Sequence, residues 1–305
     1  MQTRKIGSLN ASVVGLGCNN FGWKIDEDQS RQVVGAALEV GVTFFDTADV
    51  YGGTKSEEFL GRVLKGRRDK VTLASKYGIK IDEARPGGAK PAYIQSAIED
   101  SLRRLQTDHL DLYQLHRPDD DTPIADTLEA LNNLVKAGKV REIGCSNFSA
   151  AQLQEAEIAA AGGARFVSVQ NEYSLLKREP EADILPACET LFIAFLPYFP
   201  LASGLLSGKY RAGQPLPAGT RIQAGEQFSY LLTPENLEIV EKLIAFSETR
   251  GHTILELAFS WLLRQPSVAS VIAGATSPAQ VKANAAAVDW TLTDADLAEI
   301  GTLLA

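Results

Sequence analysis

The chain has 305 residues, 45% of them hydrophobic, which is enough to bury one large core or two modest ones. Its 30 basic and 38 acidic residues are interspersed and give a formal net charge of −8, which argues against binding the phosphates of nucleic acids. No apolar run is as long as a membrane-spanning helix, which needs about 18 residues. Residues 1–10 also lack the apolar part of a secretory signal. We therefore expect a cytoplasmic protein that has no nucleic-acid or membrane partner.

Apolar runs of strand length alternate with amphipathic runs of helix length along the whole chain. After a short hairpin, the pattern predicts strands at residues 14–18, 43–45, 71–75, 110–115, 140–145, 166–170, 191–196 and 268–272. It predicts helices at residues 29–40, 56–64, 91–105, 122–137, 149–161, 181–190, 234–250, 253–264, 278–287 and 294–304. Residues 197–233 are rich in Gly and Pro and show no period, which is typical of a functional loop.

Eight strand–helix units follow one another without a linker-like change in composition. This order favours a single domain over residues 1–305 and an α/β fold, a (β/α)8 TIM barrel whose parallel sheet closes on itself. The barrel is expected to carry an N-terminal hairpin at residues 3–14, an extra helix between the last two strands and a C-terminal helix. A doubly wound open sheet is the alternative, but residues 15–20 lack the third glycine of a dinucleotide-binding fingerprint.

Ionisable residues stand at the ends of three successive predicted strands. They are Asp46, Lys76 and His116, and Tyr51 follows Asp46 by five residues. The carboxyl ends of barrel strands form the active face, so these side chains are expected to converge there. An ammonium beside a phenol lowers its pKa from about 10, and a carboxylate keeps that ammonium charged. Singly, each residue is more often a cap, a packed ring or a solvated charge, and Asp49 competes with Asp46; together they predict a site that protonates a carbonyl oxygen.

A carbonyl reductase also needs a cofactor, because no side chain donates hydride. Ser146, Asn147 and Gln170 follow the fifth and sixth strands and can hold a carboxamide, although a helix cap and a buried core amide are the structural alternatives. Tyr198 can stack on a flat ring or pack in the core. Residues 273–278 enter a helix after the eighth strand, where backbone N–H groups favour a phosphate, unless Ser277 is an ordinary cap.

Several short motifs follow in a fixed order: residues 41–48 with Tyr51-Gly52, Ser75-Lys76, and residues 111–116, 144–148, 170–173, 200–209 and 274–278. In this order and spacing they resemble the motifs of the aldo-keto reductase superfamily, in its bacterial-type form, along essentially the whole chain. The resemblance implies a barrel reductase of aldehydes or ketones that uses a nicotinamide cofactor, usually NADPH. It places a catalytic tetrad at Asp46, Tyr51, Lys76 and His116, with Tyr51 as general acid in reduction and general base in oxidation.

The resemblance also implies the cofactor contacts. Those at the nicotinamide are Ser146, Asn147 and Gln170 on the carboxamide and Tyr198 on the ring. Those at the phosphates and adenosine are Leu201, Ser203, Gly204, Leu206, Lys209, Gly274, Thr276, Ser277, Gln280 and Asn284. Many members have Lys and Arg around the 2′-phosphate where this chain has Gly274 and Gln280. Bacterial-type members often share this less basic pattern, so the resemblance still implies NADPH, while the missing charge leaves NADH open.

On the substrate side, Phe21, Trp23, Tyr77 and Arg117 follow strand ends and are expected to line the pocket of a small carbonyl compound. The three cysteines are too few and too scattered to predict a disulfide framework or a metal site. We expect a monomer or weak oligomer. Two other functions remain open: a cofactor-binding regulatory subunit of a membrane channel, with incidental turnover, and a barrel aldolase that uses Lys76 as a Schiff-base lysine.

Overall fold

The computed structural model describes residues 1–216 and 230–304, and a parallel eight-stranded sheet lies at its centre. An antiparallel hairpin, β1 (Thr3–Ile6) and β2 (Leu9–Ser12), precedes this sheet. The strands of the sheet are β3 (Val14–Gly17), β4 (Phe44–Asp46), β5 (Thr72–Tyr77), β6 (Leu110–Leu115), β7 (Val140–Ser146), β8 (Phe166–Gln170), β9 (Ala194–Phe195) and β10 (Val271–Gly274). Their spatial order is β10-β3-β4-β5-β6-β7-β8-β9, as expected of consecutive βα units.

Backbone hydrogen bonds join the two ends of this order and close the barrel. The Phe195 N–H donates to the Ser267 carbonyl at 2.7 Å, and the Ala269 N–H donates to the Phe195 carbonyl at 3.0 Å. The segment just before β10 therefore pairs with β9, which leaves neither strand as an open edge. The predicted (β/α)8 barrel is confirmed.

Helices follow the strands and surround the barrel. They are α1 (Glu27–Glu39), α2 (Lys55–Val63), α3 (Pro91–Leu105), α4 (Ile124–Lys136), α5 (Ala150–Ala159), α6 (Ile184–Leu191), α7 (Pro234–Glu248), α8 (Ile254–Leu263), α9 (Pro278–Ala286) and α10 (Asp294–Leu303). Of these, α7 is the expected extra helix before the last strand, and α10 is the expected C-terminal helix. No helix of residues 1–216 and 230–304 has the length and apolar character needed to span a bilayer.

The N-terminal hairpin packs under the barrel and decides which end stays open. Ile6, Leu9 and Ala11 form one buried cluster with side chains from the barrel interior, such as Phe44 and Leu112. The larger apolar cluster fills the space between the strands and the surrounding helices. Since the hairpin covers the amino ends of the strands, the carboxyl ends are left to form a site.

One predicted strand differs clearly from the structure. Residues 191–196 form an apolar run, but α6 continues to Leu191 and β9 covers only Ala194–Phe195. Phe192 ends the helix in a left-handed conformation (φ 53°) and is 87% exposed. The apolar run therefore combines the end of a helix, an exposed cap and a short strand, which hydrophobicity alone does not separate. Of the predicted loop, residues 202–207 form a 3₁₀ segment, and residues 217–229 lie outside the described residues.

The close packing of α2 on α3 gives a test of the fold. Gly61 in α2 lies so near α3 that a Cβ there would meet the carbonyl carbon of Leu105 at 2.8 Å. Gly35 in α1 has open space around the same position. We expect Gly61→Ala to lower the free energy of unfolding by about 1–3 kcal/mol through overpacking, and the control Gly35→Ala to raise it by about 0.5–1 kcal/mol through helix propensity. Urea denaturation of both variants measures this, and equal effects at the two positions would contradict the packing described.

Candidate active site

The strand ends bring the predicted tetrad together at the open end of the barrel. Asp46 is the last residue of β4, Lys76 lies one residue from the end of β5, and His116 follows β6 directly. These three strands are neighbours in the sheet. Tyr51 reaches the same place from the loop between β4 and α2, and the ring centroids of Tyr51 and His116 are 5.8 Å apart.

Lys76 forms the buried centre of this group. Its Nζ donates to Asp46 Oδ2 at 2.6 Å, to the Thr47 carbonyl at 3.0 Å and to Tyr51 Oη at 3.5 Å. An ammonium has three protons, so these contacts account for all of them. With its side chain fully buried and its protons engaged, Lys76 is not placed to attack a substrate carbonyl, which disfavours the aldolase alternative.

Two glutamines complete the surroundings of the carboxylate. Asp46 Oδ1 accepts from Gln170 Nε2 at 2.9 Å and from Gln114 Nε2 at 3.2 Å. Both carboxylate oxygens are thus hydrogen-bonded, as a buried charge requires. Gln170 was predicted as a carboxamide contact; it lines the cavity, and it also acts as a buried support for Asp46.

Burial disfavours the charged form of both Lys76 and Tyr51, and the two residues differ in whether neighbouring charges outweigh it. It disfavours the charged form of Lys76, but attraction to Asp46 and Tyr51 outweighs this and the pKa of Lys76 is raised. For Tyr51, burial raises the pKa by more than the Lys76 ammonium lowers it, and Asp46 raises it further. The pKa of Tyr51 is therefore above its ordinary value. This corrects the direction expected from the sequence, which does not show the burial of the hydroxyl.

His116 is held neutral. Burial lowers its pKa well below the ordinary value, and the positive charges of Lys76 and Arg117 lower it further. Its Nδ1 is buried and has no hydrogen-bond partner among the described residues. A neutral imidazole has one donor and one acceptor nitrogen, so His116 can hydrogen-bond an oxygen without giving up a charge.

Asn147 connects the strand ends next to this group. It adopts a left-handed conformation (φ 63°), and its Nδ2 donates to the His116 carbonyl and to Ser146 Oγ, both at 3.0 Å. Its Oδ1 accepts from the Tyr198 hydroxyl at 2.9 Å. Asn147 therefore orients Tyr198, and the cap of α5 is a different residue, Ser149.

A cavity of about 1180 Å³ runs over the open end of the barrel. This volume exceeds the about 300–1,000 Å³ of typical ligand pockets. The predicted residues that line it at the tetrad are Asp46, Tyr51, His116, Arg117, Ser146, Asn147, Gln170 and Tyr198. Those that line it after β9 and β10 are Leu201, Ser203, Gly204, Lys209, Gly274, Thr276, Gln280 and Asn284.

Four other predicted contacts lie elsewhere. Leu206 is fully buried in the core, and Ser277 caps α9 by accepting from the Gln280 N–H. Phe21 is fully buried as well, whereas Trp23 is 51% exposed with the Lys24 ammonium 4.8 Å from its ring. None of the four lines the described cavity.

Tyr77 is the clearest departure from the predicted substrate pocket. Successive side chains of a strand point to opposite faces, so with Lys76 inside the barrel Tyr77 must face the helices. It is fully buried there and stacks on Tyr113 at 4.8 Å between ring centroids.

Sequence reasoning also missed polar residues of the site. Asn19 and Asn20 line the cavity after β3, and a Cβ on Gly274 would meet Asn19 Oδ1 at 3.0 Å and Asn20 Nδ2 at 3.1 Å. Their position directly after the first barrel strand is a usable signal, because the carboxyl ends of barrel strands form the active face. Gln114 is two residues before His116 and so shares its face of β6, a periodicity that also pointed to it.

Comparisons with known proteins show the family of this chain. The model of the aldo/keto reductase family matches residues 13–305. The chain therefore belongs to the aldo/keto reductase family, and it is an NAD(P)-dependent oxidoreductase that acts on carbonyl or alcohol groups.

Individual relatives are similar over nearly their whole length. The aldo-keto reductase YhdN of Bacillus subtilis is 36% identical over 304 residues, 97% of this chain and 91% of that protein. A probable aldo-keto reductase 1 of Glycine max is 32% identical over 310 residues, 98% of this chain and 88% of that protein. Among solved structures, the glycerol dehydrogenase AKR11B4 of Gluconobacter oxydans superposes with a TM-score of 0.85 at 32% identity, covering 99% of this chain and 94% of that one.

A second buried acid lies behind β5, outside the cavity lining. Asp49 is 1% exposed, its N–H donates to the Lys76 carbonyl at 3.0 Å, and its Oδ1 has no partner among the described residues. The nearby cation, Arg104, already pairs with the buried Glu57 at 2.7 Å. Asp49 thus does not compete with Asp46 for Lys76.

The surroundings of Asp49 keep it protonated at neutral pH. Burial, and then the charge of Glu57, raise its pKa to about 8, against smaller opposing effects of Arg104 and Arg85. Tyr93 and Tyr113 also face it, and its charge adds to the raised pKa of both phenols.

This raised pKa predicts a pH-dependent cost of folding. The unfolded carboxyl ionises near pH 4, so its contribution to stability is lost progressively between about pH 4 and pH 8, by about 1.4 kcal/mol per pH unit. Asn does not titrate, and the stability of Asp49→Asn relative to the unmodified protein should therefore rise over this window. Urea denaturation at pH 5 and pH 8 measures the difference, with Asp126→Asn, an exposed residue of α4, as the control. A difference that is the same at both pH values would mean that Asp49 is not protonated in the folded protein.

Proposed function

We propose that this protein reduces aldehydes or ketones with NADPH, and that Tyr51 supplies the proton. The observation that carries the proposal is the buried chain from Asp46 through Lys76 to the Tyr51 hydroxyl, which ends at the cavity beside neutral His116. When bound, the nicotinamide supplies hydride to the carbonyl carbon.

The residues of the chain act on the carbonyl oxygen. The raised pKa of Tyr51 keeps its hydroxyl protonated at neutral pH, so it is ready to donate. As the oxygen gains negative charge, Tyr51 transfers its proton to it and becomes a phenolate. The Lys76 Nζ is 3.5 Å from the Tyr51 Oη, so its positive charge stabilises the phenolate. The ring of His116 is neutral because its pKa is low, and its one N–H can donate a hydrogen bond to the same substrate oxygen.

The polar groups of the cavity lining suit a dinucleotide. Ser203 Oγ is buried without a partner among the described residues, and Ala202, Ser203 and Gly204 all have positive φ, which turns the backbone sharply at the lining. A Cβ on Gly274 would lie 3.0 Å from Asn19 Oδ1 and 3.1 Å from Asn20 Nδ2, so a side chain there would have to displace them. Ser203, Gly204 and Lys209 would hold the pyrophosphate, Tyr198 the nicotinamide ring, and Gln280 and Asn284 the adenosine.

The charge of the lining favours NADPH over NADH. Within residues 1–216 and 230–304, Asp46 is the one acidic residue of the cavity lining, and it is paired with Lys76. A carboxylate on the ribose 2′-hydroxyl is the usual basis for selecting NAD. Since the described lining after β10 has no carboxylate to repel a 2′-phosphate, NADPH is the better fit.

Replacing the proton donor tests the reaction. Tyr51→Phe removes only the hydroxyl, so we expect kcat for a carbonyl panel to fall by about 10²–10⁴-fold, with the NADPH dissociation constant changed by less than about threefold. Steady-state rates and NADPH fluorescence titration give the two quantities. Tyr77→Phe is the matched control, since its buried hydroxyl lies outside the cavity and has no partner among the described residues. Turnover that survives in Tyr51→Phe would remove Tyr51 as the acid, whereas failure of the unmodified protein to reduce any member of the panel, with tight NADPH binding, would favour the regulatory-subunit alternative.

A new carboxylate tests the choice of cofactor. We expect the unmodified protein to have the higher kcat/KM with NADPH, and Gln280→Glu to lower that value by about tenfold or more while changing the value for NADH much less. Gln154→Glu, an exposed position on α5, adds the same charge away from the cavity and should change neither. A parallel loss with both cofactors would show that Gln280 does not face the 2′ position.

A further inference from the structure

Arg117 is a cation at the reactive part of the cavity. It follows His116 directly in the loop after β6, is exposed, and lines the cavity. In the described parts of the chain its guanidinium forms no hydrogen bond and no ion pair. Three aspartates follow closely, but Asp119 instead accepts from the Ala89 N–H and the Thr122 hydroxyl.

The charge of Arg117 acts on two rings of the cavity lining, those of His116 and Tyr198. It lowers the pKa of His116 and opposes the rise in the pKa of Tyr198, so both rings lie within its electrostatic reach. The other charges near the place where a carbonyl would react are already balanced. Lys76 is paired with Asp46, and His116 is neutral.

No described carboxylate of the cavity lining neutralises Arg117. Glu172 is the β-bridge partner of Tyr198 and helps to raise its pKa, but it is half-buried outside the lining and interacts with Lys177 and Tyr230. The other cations of the described lining, Lys24 and Lys209, come from the loop after β3 and the segment after β9. A guanidinium of the lining that no described carboxylate of the lining neutralises therefore presents its positive charge to the substrate.

We propose that Arg117 is a specificity-determining residue that binds a carboxylate of the substrate. The favoured substrates are then aldehydes or ketones that carry a carboxylate in addition to the reacting carbonyl. This inference rests on the proposed reductase function and narrows its substrate class. A planar guanidinium suits a carboxylate, because it can donate two parallel hydrogen bonds to its two oxygens.

A pair of matched aldehydes tests the inference. The probes are para-carboxybenzaldehyde and its methyl ester, which present the same aldehyde with and without a charge. We expect the unmodified protein to have a kcat/KM about tenfold or more higher for the carboxylate. Arg117→Gln should lower the value for the carboxylate by about 10–100-fold, mainly through KM, and the value for the ester by less than about threefold. Arg117→Lys should keep part of the preference, and Arg117→Glu should invert it.

Two variants control for charge and for position. Arg103→Gln removes an exposed cation of α3, 71% exposed, outside the cavity lining, and should leave both rates unchanged. Lys24→Gln removes another cation of the lining. If Lys24→Gln rather than Arg117→Gln abolishes the preference, Arg117 is not the anchor. Melting temperatures of all variants establish that each is folded.

The remaining outcomes separate the two proposals. Equal kcat/KM for the two aldehydes in the unmodified protein would overturn the inference and leave the reductase function standing. A weaker NADPH affinity in Arg117→Gln, with an unchanged preference for the carboxylate, would overturn it as well and assign Arg117 to the cofactor. Reduction of neither probe nor of any member of a broad carbonyl panel would overturn the proposed function and the inference together.

Discussion

The buried ion pair between Lys76 and Asp46 sets the geometry of the whole site. Removing two charges from water costs several kcal/mol for each ion, and good geometry with added hydrogen bonds is needed to offset it. Here Lys76 Nζ is 2.6 Å from Asp46 Oδ2. The Thr47 carbonyl accepts a further hydrogen bond from the ammonium, and Gln114 and Gln170 donate two more to the carboxylate. Two glutamines that would otherwise be unexplained in a barrel interior are thus required by one carboxylate.

The barrel makes this pair possible at a cavity. Side chains that point inward at the carboxyl ends of β4, β5, β6 and β8 meet in one layer, and the hairpin fills the opposite end of the interior. An ion pair in that layer is shielded by protein on most sides while its partner Tyr51 still reaches the cavity lining. Burial and access, which usually exclude each other, are divided between two neighbouring residues.

Much of the fold and site followed from the sequence, because strands and strand ends are local patterns. The order of the βα units, the closing of the barrel and the positions of Asp46, Tyr51, Lys76 and His116 required only periodicity and the rule that strand ends share one face. The burial of Tyr51 depends on residues distant in the chain, so the direction of its pKa shift was not predictable from Lys76 alone. Tyr77 was misplaced for a more avoidable reason, since alternation along β5 already directed it away from Lys76.

The Gln170 amide has a consequence that reaches beyond support of Asp46. Its Nε2 donates to Asp46, while its Oε1 accepts no hydrogen bond among the described residues and the residue lines the cavity. An amide is polarisable, so a donor that approaches the oxygen strengthens donation from the nitrogen. A ligand group that donates a hydrogen bond to Gln170 Oε1 therefore strengthens the Gln170–Asp46 hydrogen bond and weakens the attraction of Asp46 for Lys76. Ligand binding in the cavity and the acidity of Tyr51 are thus coupled through the side chain of Gln170, without movement of the backbone.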